Sequence, residues 1–214
     1  MIESKHQVFK KVFERQQELA ALGKGLSEEV IENAIRQSET ERDSCTAHDP
    51  TCLPGFLAWG RCIRFLRDQL VLMKWRANDD RNYPTVVSPN GEVAIAVATG
   101  DDGTGQEDKH PGTKFPKGTV TQDAVDVNVQ CLLFEETPEA RQEPPRATWL
   151  LLKRRVNNVV YFELSLPNKI SSDGVIKSYH KRIIFPAITL ESNVIVQDDT
   201  EDAIDVPVLR RDAK

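Results

Sequence analysis

No apolar run in the sequence is longer than residues 93–98. A helix needs roughly 20 apolar residues to cross a bilayer, so a helical membrane span is excluded. The first residues lack the charged, apolar and small-residue succession of an export signal, and the cytoplasm is the expected compartment. Cysteine is scarce. Cys45, Cys52, Cys62 and Cys131 are too few and too scattered in 214 residues for a disulfide framework, and they read as reduced thiols. Cations do not exceed anions either: 28 Lys and Arg against 33 Asp and Glu give a net charge of -5, which argues against a protein that coats nucleic acid indiscriminately. Catalytic signatures are missing as well. There is no His-Glu-x-x-His, no Gly-x-Ser-x-Gly and no phosphate loop ending in Gly-Lys-Ser/Thr, and His48, His110 and His180 stand apart from any nucleophile motif.

What is present suits an ordinary folded protein, with 39% hydrophobic and 29% charged residues. The expected fold class is α+β: an N-terminal helical segment of about three helices (1–78) packed with a C-terminal antiparallel sheet (83–196), as one combined domain, followed by a charged tail (197–214). Apolar residues at helical spacing predict a first helix over 5–22, closed by Gly23 and Gly25. Ser27, followed by Glu28 and Glu29, predicts the start of a second helix reaching about residue 42. Trp59, Ile63, Leu66, Leu70 and Met73 recur along one stripe and predict a central core helix over 56–75.

After Pro84 the period becomes extended, and Pro89-Asn90-Gly91 between two Val-rich runs predicts a hairpin. Residues 100–118 and 135–147 hold the glycines, prolines and alternating charges of long loops, while 119–134 fit a helix or a strand and are read as helix. A hairpin turning at Asn157-Asn158 is the clearest β signal, and Asp173-Gly174 marks the next turn, before a strand over 176–185 and a further short one over 194–196. A meander of antiparallel strands is the result.

Charge is distributed unevenly. Residues 148–190 carry seven Lys and Arg against two acidic residues, a local excess of +5 between two acidic stretches. Lys153, Arg154 and Arg155 on one strand and Lys177, Lys181 and Arg182 on another alternate with Trp149, Tyr161, Tyr179 and Phe185. A sheet displaying cations and aromatics can hold a nucleic-acid strand by phosphate contact and base stacking, with an affinity that falls as salt rises. Strand alternation puts Lys153 and Arg155 on one face and Arg154 on the other, so only part of the cluster can act together. Residues 110–118 add His110, Lys114, Phe115 and Lys117 on a loop that could clamp a phosphate backbone.

Two further constellations involve metal chemistry. Cys45, His48, Cys52 and Cys62 supply the ligand types zinc prefers, at a spacing that matches no standard knuckle; ordinary structural cysteines are the competing reading. Gly100-Asp101-Asp102-Gly103-Thr104-Gly105 follows a strand, as phosphate or cation loops do, but its acidic pair would repel phosphate unless a metal intervened. Glu107-Asp108-Lys109 has the Glu-x-Lys letters of a nuclease hairpin, set in a glycine-rich loop. The sequence therefore points first to a non-catalytic accessory or adaptor protein. Its helical part would dock a protein partner, and its basic sheet would contact nucleic acid or an acidic surface. It would carry no cofactor, with zinc on the Cys/His set as the variant. The alternative is a metal-dependent enzyme acting on phosphates or nucleic acid through 100–118.

Overall fold

The computed structural model describes residues 7–133 and 146–191. These comprise four helices and eight strands: β1 (Gln7–Phe9), α1 (Val12–Leu22), α2 (Glu28–Asp43), α3 (Leu53–Leu70), β2 (Arg76–Asn78), β3 (Thr85–Val87), β4 (Val93–Thr99), α4 (Thr119–Leu133), β5 (Ala147–Val156), β6 (Val159–Ile170), β7 (Ile176–Ile184) and β8 (Ile188–Thr189). The architecture is α+β, as the sequence predicts. None of these helices is long and apolar enough to cross a membrane. The strand expected over 194–196, most of the loop at 135–147 and the tail at 197–214 lie outside the described residues.

All eight strands join one sheet in the order β1-β7-β6-β5-β4-β3-β2, with β8 beside β6. The sheet is mostly antiparallel but not a pure meander, because β4 and β5 run parallel, as do β1 and β7. Parallel neighbours need a crossover, and α4 supplies it between β4 and β5. The ambiguity over 119–134 resolves as helix for a packing reason. Thr121, Val125 and Asn128 are its buried positions, at i, i+4 and i+7, while Val127 and Val129 are only half-buried. Asn128 seats this helix. Its amide donates to the carbonyls of Thr148 and Pro167 at 2.9 Å each and its oxygen accepts the Thr148 N–H at 2.7 Å, where a register shift disturbs the β6–β7 ladder at Pro167.

The first helix is shorter than its periodicity predicts. Val8 and Phe9 leave the helix to pair in parallel with β7, and Phe9 lies under the Lys181 ammonium, 5.7 Å from the ring centroid. A β-branched residue beside an aromatic suits a pleated surface, and the open edge of β7 offers one. The second helix begins as predicted, with the Ser27 hydroxyl accepting the Val30 N–H at 3.2 Å. The third starts at Leu53 and ends at Leu70, and a single tight turn over Val71–Met73 leaves Met73 exposed instead of in the core. Asn157 takes the positive φ of +52° that the β5–β6 turn requires.

The sheet separates two apolar layers. On one face Leu19, Ile35, Leu66 and Leu70 of the first three helices meet Ile95, Leu151, Phe162 and Ile183. On the other, Leu150, Leu152, Ile176 and Tyr179 form a smaller cluster. Residues 100–112 are bound tightly against this second face. The glutamate Glu163 and the arginine Arg182, side by side on β6 and β7, are both almost wholly buried and pair at 2.6 Å. Arg182 also donates to the carbonyls of Lys109 (3.0 Å) and Gln106 (2.8 Å), and Glu163 accepts the Gly105 N–H at 2.9 Å. Gly105 can approach so closely because its φ of +73° puts it where side-chained residues are strained.

A buried pair stripped of one member leaves an uncompensated charge. Arg182→Met is therefore expected to cost about 3–5 kcal/mol in urea unfolding, while Glu163→Leu combined with Arg182→Met regains part of that loss. Equal losses in the single and double variants would contradict Glu163 as a buried charge.

Candidate functional site

The eight cations singled out in the sequence do not form one surface. Lys153 projects from β5 toward α2 and is buried, its ammonium 2.7 Å from Glu39 Oε1 and 3.0 Å from Ser38 Oγ. Arg155, two residues on and on the same face, pairs with Asp43 at 2.6 Å and with Glu39 at 3.3 Å. Arg154 lies on the opposite face by strand alternation and is half-buried. Lys181 reaches Glu18 of α1 at 2.9 Å, Arg182 is held by Glu163, and Lys177 is exposed on β7. The local excess of +5 is thus largely met by carboxylates from α1 and α2. Helix docking brings those carboxylates to the sheet from more than 100 residues away in the chain.

The loop over 100–118 is more structured than its composition suggests. Asp101 Oδ1 accepts the Gly103 N–H at 2.9 Å, Asp102 is 3.6 Å from Lys109, and Glu107 meets Lys10 at 2.9 Å. These carboxylates serve the loop's own turns and neighbours. His110 packs against Tyr179 with ring centroids 5.5 Å apart; burial, followed by the charge of Glu163, holds the Tyr179 hydroxyl far above the usual phenol range. Of the cysteine and histidine set, Cys62 is fully buried in the helical layer, where desolvation raises its thiol pKa, whereas His48 and Cys52 are exposed and Cys45 is half-buried in the connection from α2 to α3. Among the described residues no three His, Cys, Asp or Glu side chains converge as metal ligands.

The structure instead builds a cleft of about 740 Å³ at the carboxyl ends of the parallel strands β4 and β5. Thr99 and Lys153 form part of its lining, Glu39 and Arg42 of α2 stand on one side with the first turns of α3, and Lys114, Phe115 and Lys117 border it as well. Here α4 leaves β4 on one face while α2 and α3 cover the other.

Each border has an identifiable cause. Trp59 is fixed over the end of β4 because its indole N–H donates to the Val97 carbonyl at 3.0 Å. The Lys114 N–H donates to Thr99 O at 2.9 Å, and the Lys117 N–H to Gly174 O at 2.9 Å, so the returning loop is tied at both ends. Gly174 has a φ of +79°, and a Cβ there would run into the Lys117 backbone, so the Asp173-Gly174 turn read from sequence also serves as the anchor of this wall. Arg42, Lys153 and Arg155 all engage Glu39. Lys114 and Lys117 meet no carboxylate among the described residues. Lys114 instead lies 5.5 Å from the centroid of the Phe115 ring, and burial pushes the Lys117 amine below its ordinary range.

Sequence reasoning placed Lys114 and Lys117 in a phosphate-gripping loop but missed Glu39, Arg42, Phe56 and Trp59 as their neighbours. Glu39 did carry a signal, since it continues the buried stripe Ile31, Ala34, Ile35 and Ser38, where a carboxylate needs a partner. No protein-family model, no curated protein and no solved structure matches the chain.

Desolvation penalises the charged form of Lys117 in the fold, while the unfolded chain keeps the ordinary value of 10.5. Below the folded-state pKa this penalty is present in full. Between that point and 10.5 the unfolded state binds the extra proton, so stability rises with pH. Urea titrations should show the wild type gaining on Lys117→Met as pH climbs through this window; a difference that stays flat, or has the opposite sign, contradicts a desolvated Lys117.

Proposed function

We propose that the protein is a non-catalytic accessory protein that recognises an anionic ligand in the cleft at the ends of β4 and β5. The observation that carries this reading is the contrast among the cleft's cations. Three of them engage Glu39, but Lys114 and Lys117 line the same space without a carboxylate among the described residues. The partly desolvated ammonium of Lys117 is costly to keep without a counter-ion, and an arriving anion relieves that cost.

The accessory role has its own support. The two ends of α3 present different chemistry, with the cleft at its first turns and the exposed run Val71, Leu72 and Met73 just beyond its last. Exposed apolar groups that adjoin one another suit a protein partner better than they suit solvent. Nucleic acid spread along the sheet is the weaker reading, because Lys153, Arg155 and Arg182 are occupied by carboxylates, and Lys153 and Arg182 lie on opposite faces. The enzyme alternative through 100–118 has weaker support, because Asp101, Asp102 and Glu107 of that loop engage Gly103, Lys109 and Lys10.

Inorganic pyrophosphate is the direct probe. At low ionic strength it should raise the melting temperature, equivalent to about 2.7 kcal/mol when present at about 100 times its Kd. The shift should fade with added salt. It should vanish in the Lys114→Met, Lys117→Met double variant. No shift in the wild type, or an undiminished one in the double variant, overturns the cleft as an anion site.

A further inference from the structure

The cleft offers more than an anion requires. Its volume of about 740 Å³ lies in the range of small-molecule pockets and far exceeds the need of a bare phosphate. Two phenylalanines from different elements, Phe56 in the first turn of α3 and Phe115 in the returning loop, line it while 62% and 63% exposed. Neither position demands an aromatic ring for packing. Trp59 adds a third ring to the lining, held half-buried, with its one donor consumed by Val97. Other large exposed apolar side chains, such as Val12, Phe13 and Leu72, do not line the cleft.

The rings and the unpaired cations are adjacent. Phe115 stands between Lys114 and Lys117 in sequence, and the Lys114 ammonium already lies over its ring. Polar groups that could meet the edge of a bound heterocycle are present too, in the side chains of Thr51 and Thr99. Gly55, between Pro54 and Phe56 on the α3 side, has no atom beyond its chain neighbours and its own helix backbone within 4 Å of where a Cβ would be, so backbone there is open to a close approach. An aromatic face next to cations that meet no carboxylate among the described residues matches a ligand that joins a flat ring to a phosphate, since stacking is tolerant of ring identity and the cations fix the charged end.

We infer that the ligand of this cleft is a mononucleotide, with its phosphate at Lys114 and Lys117 and its base against Phe56 and Phe115. This inference rests on the anion-binding reading of the same cleft. It assigns no reaction to the protein. It also gives α3 a part in recognition, because the helix that forms the centre of the core places Phe56 and Trp59 on the side of the ligand.

Calorimetric titration of the full chain with AMP, ADP, ribose 5-phosphate and adenosine tests the assignment. AMP is expected to bind about ten-fold or more tighter than ribose 5-phosphate, as stacking of one base implies. Phe56→Leu and Phe115→Leu, which keep apolar bulk at exposed positions, should shrink that ratio and leave ribose 5-phosphate unchanged. The Lys114→Met, Lys117→Met double variant should weaken AMP and ribose 5-phosphate alike. Equal affinity for AMP and ribose 5-phosphate, or a ratio untouched by both leucine variants, overturns the nucleotide inference and leaves the anion site standing. Binding of none of these together with no response to pyrophosphate overturns both. Adenosine binding as tightly as AMP overturns the role of the two lysines.

Discussion

The position of α2 over the sheet depends on the carboxylate of Glu39, which is buried between two cations of β5. Its side chain is 2% exposed, with Lys153 at 2.7 Å and Arg155 at 3.3 Å. Ions lose several kcal/mol of hydration when buried, and their mutual attraction does little more than offset this. The pair therefore adds little net stability. It adds position, because any slide of α2 along the sheet would leave Glu39 or Lys153 as a bare charge in an apolar layer. Asp43, one turn further along α2, takes the outer cation and closes the arrangement.

Glu163 plays the corresponding part on the other face. It satisfies Arg182, accepts from Ser165 at 2.6 Å and receives the Gly105 N–H, which brings a glycine-rich loop down onto the sheet. Loops of this composition ordinarily remain at the surface because their backbone polar groups need water. Arg182 supplies donors for two of those carbonyls in place of water. The loop then returns past Thr113 and Lys114 to the end of β4 and forms a border of the cleft. Glu39 sets one side of the cleft and Glu163, through the loop, sets another, so two carboxylates outside any catalytic motif shape the space in which function is proposed.

The charge pattern takes on a different meaning in three dimensions. A stretch with an excess of +5 looks like a surface for polyanions, but three of its seven cations are the receiving half of helix docking: Glu18 to Lys181, Glu39 to Lys153, Asp43 to Arg155. Two cations of the cleft that meet no carboxylate among the described residues, Lys114 and Lys117, lie instead in a segment that is acidic overall. Net charge by segment cannot reveal this, because Coulomb attraction depends on distance through space and the nearest carboxylate to each of these lysines is decided by packing.

The sequence by itself determined what short-range periodicity and backbone chemistry control. Ser27 capped α2, the stripe through Ile63, Leu66 and Leu70 made α3 the core helix, and Asn157 and Gly174 made their turns, because capping, helical spacing and positive φ are properties of a few neighbouring residues. Tertiary structure decided what depends on partners distant in the chain. Val8 and Phe9 became a strand because β7 had an open edge, Met73 left the core because α3 ended at Leu70, and β4 came to lie parallel to β5 because α4 crossed over between them. Lys153 and Arg182 were withdrawn from solvent because Glu39 and Glu163 stood opposite them. The cleft belongs entirely to this second class: its borders come from α2, α3, two strand ends and a returning loop, and no local pattern records that those five pieces converge.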